Sequence, residues 1–144
     1  VKGLAILLAV TLAGAGSVET ETEQMYSDDD LYVLSHIINA ECGDDNCSHE
    51  QRIATGSVVI NRVNSDIYPD SVREVVFQSG QYSPTWNGSF DKEPSEDSVE
   101  VAKLLLTEGS QIPENCLFQA EFPQGSGTYQ TFETIYGTTY ICYR

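Results

Sequence analysis

Residues 31–63, LYVLSHIINAECGDDNCSHEQRIATGSVVINRV, constrain the fold more than any other stretch. Leu31, Leu34, Ile37 and Ile38 recur at helical spacing, which predicts an amphipathic helix. A second predicted helix follows a short turn bracketed by Cys42 and Cys47. Ser48 followed by Gln51 has the pattern of a capping box that starts it. Its apolar positions, Ile53, Ala54, Val58, Val59, Ile60 and Val63, nearly encircle it and mark a central core helix. Ala54, Gly56 and Ser57 are small enough to let another helix approach closely. Continuing the stripe of the first helix from Leu34 and Ile38 leads to Glu41. This carboxyl therefore belongs to the buried face at the end of its helix, where partial desolvation raises its pKa and suits it to hold a proton near neutrality. Spacing alone leaves open a helix-terminal Glu that bends out to water.

The whole chain, 144 residues, is long enough for one domain with a substantial core. Its formal net charge of -15, from 22 acidic and 7 basic residues, repels phosphate backbones and argues against nucleic-acid partners. Residues 1–15 pair one Lys with an apolar run from Leu4 to Leu12 and the small triplet Ala13-Gly14-Ala15. That is the pattern of a secretory signal, and the run is too short for a standard membrane span. Residues 16–28, rich in Ser, Thr and Glu, read as a flexible acidic linker, which leaves 29–144 as the folded domain. Asp28, Asp29 and Asp30 are expected to cap the first helix, where its macrodipole favours negative charge, and not to bind metal.

In an exported protein four cysteines imply disulfides. Cys42 and Cys47 bracket a turn and are expected to pair, as are Cys116 and Cys142 in two strand-like segments. A zinc site using cysteines with His36 or His49 lacks any CxxC or HExxH spacing, so no metal is expected. His36, two positions from the Leu34–Ile38 stripe, is expected on the helix flank without a proton-transfer role. Ser71 with Glu74 repeats the capping box ahead of a short third helix, and Ser95 with Gly109 brackets another through Val99, Ala102, Leu105 and Leu106. After Pro113 the texture changes to short β-branched and aromatic runs, at 116–122 and 139–143, with turns at 125–127 and Gly137. Helices first and then a small antiparallel sheet make the fold α+β. The loop at 78–90, QSGQYSPTWNGSF, mixes aromatic faces with amides and hydroxyls, as sugar recognition requires. Aromatics that simply pack onto the core remain the alternative there.

Several of these stretches, IINAECG (37–43), ATGSVVINRV (54–63), YPDSVREVV (68–76) and GQYSP (80–84), together with the terminal Tyr-rich strand, resemble one family. It comprises the spore-cortex and cell-wall hydrolases of the SleB and CwlJ type. The resemblance implies a secreted bacterial enzyme with a lysozyme-like domain that cleaves the bond between N-acetylmuramic acid and N-acetylglucosamine in peptidoglycan. The family's catalytic acid falls on Glu41, acting as a lytic transglycosylase and giving 1,6-anhydro ends without a second carboxylate. Gln81, Tyr82 and Ser83 are then expected to hold the muramic residue, with Trp86, Asn87 and Phe118 as cleft walls. If water were the acceptor, Glu133 or Glu121 would orient it. Arg62 and Arg73 are read as bonding to helix ends in preference to clamping the peptide stem. The implied partner is the glycan strand, with no cofactor and no membrane insertion once the signal is removed; an accessory protein stays open. The chain departs from the family pattern in the cysteine-closed turn after Glu41 and in a divergent stretch at 122–136. A non-catalytic wall-binding module, or a structural protein of the spore envelope, is the alternative reading.

Overall fold

The central second helix is buried almost all round because it is covered on two sides, by helices and by a sheet. The computed structural model describes residues 23–43 and 47–144. The expected signal at 1–15, most of the linker and the turn residues 44–46 lie outside the described residues. Among the described residues five helices precede three strands: α1 (Asp28–Cys42), α2 (His49–Asn64), α3 (Val72–Val76), α4 (Pro84–Asn87), α5 (Glu96–Glu108), β1 (Cys116–Ala120), β2 (Gly127–Thr134) and β3 (Gly137–Tyr143), with a 3-10 turn at Ser89–Asp91. No described helix is long and apolar enough to cross a membrane.

Local chemistry sets the helix starts. Ser48 Oγ accepts from Gln51 N at 3.1 Å, and Ser95 Oγ accepts from Ser98 N at 3.1 Å. At α3 the capping box is reciprocal, with Glu74 N donating to Ser71 Oγ and that hydroxyl donating to Glu74 Oε2 at 3.1 Å. The cap of α1 is Ser27, whose Oγ accepts from Asp30 N at 3.0 Å. Asp28, Asp29 and Asp30 fill the first turn instead of capping it, and Asp29 takes a two-pronged bond from Arg73, Nε at 2.9 Å and Nη2 at 2.6 Å. Arg73 thus ties α3 to the start of α1. At its far end α5 is closed by Gly109, whose N–H donates to Leu105 O at 2.9 Å with φ +87°.

The larger core joins Val33, Leu34, Ile37 and Ile38 of α1 to Val59 and Ile60 of α2, Val75 and Val76 of α3, and Val101 and Leu105 of α5. On the other side of α2, Ala54 and Val58 meet Cys116 and Ile141 of the sheet. At Gly56 side chains of α1 and α5 press closely on α2. A Cβ there would collide with Leu105 Cδ1 and lie 2.7 Å from Ile38 Cδ1. We expect Gly56→Val to destabilise the fold by about 2 kcal/mol or more, since overpacking outweighs the gain in helix propensity. A urea midpoint equal to that of the wild type would contradict this packing.

The sheet is antiparallel in the order β1-β3-β2, so the two strands expected from sequence are neighbours and a third flanks them. β1 carries an irregularity at Leu117, with Cys116 opposite Tyr143 and Phe118 opposite Cys142. This corrects one expected disulfide: Cys116 and Cys142 are both buried free thiols. Cys116 shares the α2-facing side with Ile141 and Tyr143. Cys142, the next residue after Ile141, takes the opposite face by the alternation of a pleated strand, with its Sγ 3.7 Å from Thr128 Oγ1. Burial pushes the Cys116 thiol above its usual pKa and keeps it protonated, an effect reinforced by neighbouring Cys142.

His36 is also corrected: it is buried, not on the flank. Its Nδ1 lies 2.7 Å from the carbonyl oxygen of Phe90, and its ring stacks on Tyr32 at 4.1 Å. Against a carbonyl the Nδ1 position is the donor.

Candidate active site

α1 ends where the sheet begins, and that junction forms a cleft of about 190 Å³. Its walls are the last turn of α1 (Ala40, Glu41, Cys42 and Gly43), Gln51 from the first turn of α2, Glu121 just beyond β1, and Thr134 with residues 136–139 of the β2–β3 hairpin. Gln51 is buried and its Nε2 reaches Thr139 Oγ1 at 3.4 Å, linking α2 to β3 across the cleft floor.

Glu41 is partly buried at the end of the apolar stripe of α1. Its carboxyl is pushed up from 4.5 to about 7, chiefly by loss of solvent. The Arg62 guanidinium pulls in the opposite direction, and the Glu121 charge pushes it further up. The last turn of α1 holds no basic residue, so nothing there offsets the negative end of the helix dipole. A carboxyl poised at neutrality can hold a proton to give and later take one back.

Arg62 supports the site from beneath. Buried on α2, it donates from Nε to the Leu117 carbonyl at 2.8 Å and from Nη1 to Gln81 Oε1 at 3.4 Å. Its guanidinium also lies 4.9 Å from the Tyr68 ring centre and 5.2 Å from that of Tyr82. Arg62 therefore holds strand β1 and the 81–82 loop together, instead of bonding to a helix end. Tyr82 is buried and its phenol is pushed up to about 12 by burial, with Arg62 opposing and the Glu41 and Tyr68 charges assisting. It stays a phenol, able to donate.

The residues expected from sequence thus separate. Glu41 lines the cleft, and Gln81 and Tyr82 reach its surroundings through Arg62. Ser83 is exposed, and its carbonyl accepts from Trp86 N and Asn87 N at the start of α4. Trp86 is 62% exposed. The Asn87 side chain accepts from Ser89 N at 3.0 Å and Ser89 Oγ at 2.6 Å, a local turn. Phe118 lies against Gly125. None of Gln81, Tyr82, Ser83, Trp86, Asn87 and Phe118 lines this cleft. Of the two candidates for orienting water, Glu121 lines it, whereas Glu133 sits on β2 opposite Thr138 and does not. Gln51, Thr134, Tyr136, Thr138 and Thr139 were not anticipated. The mixture of aromatic and hydroxyl groups that singled out 78–90 is present in 134–140, TIYGTTY, as well.

The expected disulfide between Cys42 and Cys47 is present, with a Cα–Cα distance of 5.3 Å. It anchors the end of α1 one residue beyond Glu41, and closing so short a loop contributes only about 2 kcal/mol to stability. Mild reduction is therefore expected to lower activity several-fold while the far-ultraviolet circular dichroism is retained. Activity and fold lost in parallel would contradict that role.

The comparisons with known proteins agree with this architecture. A model of the cell wall hydrolase family matches residues 47–135. The chain belongs to that family. The match begins at Cys47, so α1 and Glu41 precede it. Among curated relatives, this family member is 26% identical over 103 residues to a spore cortex-lytic enzyme of Oceanobacillus iheyensis, covering 72% of this chain and 36% of the relative. It is 27% identical over 76 residues to the spore cortex-lytic enzyme of Bacillus subtilis, covering 53% and 24%. The chain thus spans about a third or less of the curated relatives it matches. Two solved structures share the fold. One is the catalytic domain of the Bacillus cereus SleB protein, with a TM-score of 0.63, 20% identity, and 90% of this chain and 99% of that one covered. The other is the catalytic domain of the germination-specific lytic transglycosylase SleB from Bacillus anthracis, with a TM-score of 0.60, 19% identity, and 81% and 97% covered.

Proposed function

We propose that this chain cleaves the bond between N-acetylmuramic acid and N-acetylglucosamine in peptidoglycan, as a lytic transglycosylase with Glu41 as its one acid and base. The observation that carries the proposal is a carboxyl raised to about 7 inside a cleft on the fold shared with SleB catalytic domains. Protonated Glu41 gives its proton to the glycosidic oxygen as the C1–O bond breaks and positive charge develops on the muramic ring. The resulting carboxylate then takes the proton of the muramic 6-hydroxyl as O6 bonds to C1. The product is a 1,6-anhydro end, no water is consumed, and Glu41 returns to its starting state.

Cleft hydroxyls and the Gln51 amide offer hydrogen bonds to the sugar, while Arg62, Gln81 and Tyr82 fix the wall beside the acid. The signal at 1–15 would deliver the domain outside the cell, to wall or spore envelope, with 16–28 as its tether. Family membership and the cortex-lytic relatives support this setting. Hydrolysis is the second reading, favoured by the presence of Glu121 in the same cleft, where it would orient a water. Muropeptide products separate the two: anhydro ends support transglycosylation, and reducing ends support the Glu121-assisted reaction.

A further inference from the structure

Ile135 and Tyr136 form the tip of the β2–β3 hairpin, because Thr134 pairs with Gly137 and leaves them as a two-residue turn. Such turns ordinarily carry Gly, Asn, Asp or Ser. Here two large side chains stand 79% and 80% exposed, so neither contributes appreciable burial to folding. They differ in one respect: Tyr136 lines the Glu41 cleft and Ile135 does not.

The turn is held stiffly. Thr134 Oγ1 accepts from Tyr136 N at 3.1 Å and donates to Gly137 O at 3.3 Å. Gly137 has φ +128°, a conformation that side chains rarely adopt. The backbone that carries Tyr136 is therefore held in place, and its exposed ring is open to a ligand. Around it the described lining residues offer the hydroxyls of Thr134, Thr138 and Thr139 and the carboxyls of Glu41 and Glu121, with no Lys or Arg among them. A ligand here is held by stacking and hydrogen bonds, which suits an uncharged N-acetylated hexosamine ring with one apolar face.

We propose that Tyr136 is the stacking platform for a pyranose ring of the glycan strand at the mouth of the Glu41 cleft, setting affinity and not bond breaking. The inference rests on the glycan-cleaving reading of that cleft. It also assigns a substrate contact to the edge of the divergent stretch, so it concerns this chain's own hairpin.

The test uses Tyr136→Ala, Tyr136→Phe and Ile135→Ala, assayed on soluble glycan strands. The same changes in a Glu41→Gln background are assayed for retention on insoluble peptidoglycan. Tyr136→Ala is expected to raise KM about tenfold with kcat changed less than about twofold, a loss of the size that one stacked ring supplies. Tyr136→Phe keeps the ring and should match the wild type, as should Ile135→Ala, and Tyr136→Ala should weaken retention in the inactive background. An unchanged KM for Tyr136→Ala, or Tyr136→Phe as impaired as Tyr136→Ala, would overturn the stacking role while leaving cleavage intact. Absence of cleavage by the wild type, with retention still dependent on Tyr136, would overturn the enzymatic reading and keep the platform. Absence of both would remove the two together.

Discussion

Glu41→Gln is expected to lower cleavage of purified peptidoglycan about a thousandfold or more, since one side chain supplies both the acid and the base step. The amide matches the carboxyl in size and removes only the proton chemistry, so the fold should survive. Stability should in fact favour the variant. Between 4.5, the ordinary value, and about 7, its value in the fold, Glu41 holds its proton more tightly in the native state than in the unfolded chain. That contribution is full below 4.5 and is lost as pH rises through about 7. Above that range the folded protein carries a partly buried carboxylate, which Glu41→Gln eliminates. At pH 8 the variant should therefore exceed the wild type by on the order of 2 kcal/mol, allowing for the solvent that reaches the site, and the gap should close at pH 4. Urea melts at the two pH values measure it; a variant less stable than wild type at pH 8 would contradict the desolvated carboxyl.

The second large effect is on the pH profile. Only the protonated form of Glu41 can start the reaction, so kcat/KM should fall about tenfold per pH unit above its apparent pKa, close to about 7. Glu121 contributes to that position, because its charge raises the Glu41 pKa. Glu121→Gln should move the alkaline limb to lower pH by a fraction of a unit while leaving the plateau rate at low pH nearly unchanged. A plateau that also collapsed would give Glu121 a direct part in the chemistry and favour hydrolysis. A limb that did not move would remove Glu121 from the electrostatics of the site.

Much of this was legible in the sequence, for reasons that differ from residue to residue. The helices around Glu41 announce themselves through the one-sided apolar stripe of α1 and the many apolar positions of α2, whose start Ser48 marks, whereas the α1 cap, Ser27, was overlooked for the three aspartates that follow it. Burial of Glu41 follows from the same stripe that buries Leu34 and Ile38. β2 gave no such signal. The first five of its residues, Gly127 to Thr131, are all exposed, so most of the strand lacks the alternation that identifies a half-buried one. The hairpin wall of the cleft was hidden with it.

Arg62 shows another limit: its role depends on Leu117, 55 residues away, and on two rings brought over it by the fold. His36 was read from its position relative to the stripe, but α1 is covered on that flank by the 3-10 turn carrying Phe90. The free thiols reflect face and register, which a bulge at Leu117 sets and which cysteine counting cannot supply.

The most direct test of the central claim is mass spectrometry of the soluble fragments released from purified peptidoglycan by the wild type and by Glu41→Gln. Wild-type digests should contain muropeptides ending in 1,6-anhydro-muramic acid, each lacking one water relative to the reducing form, and the variant should release none. Equal release by both proteins, whatever the ends, would contradict the assignment of Glu41 as the acid on which the reaction turns.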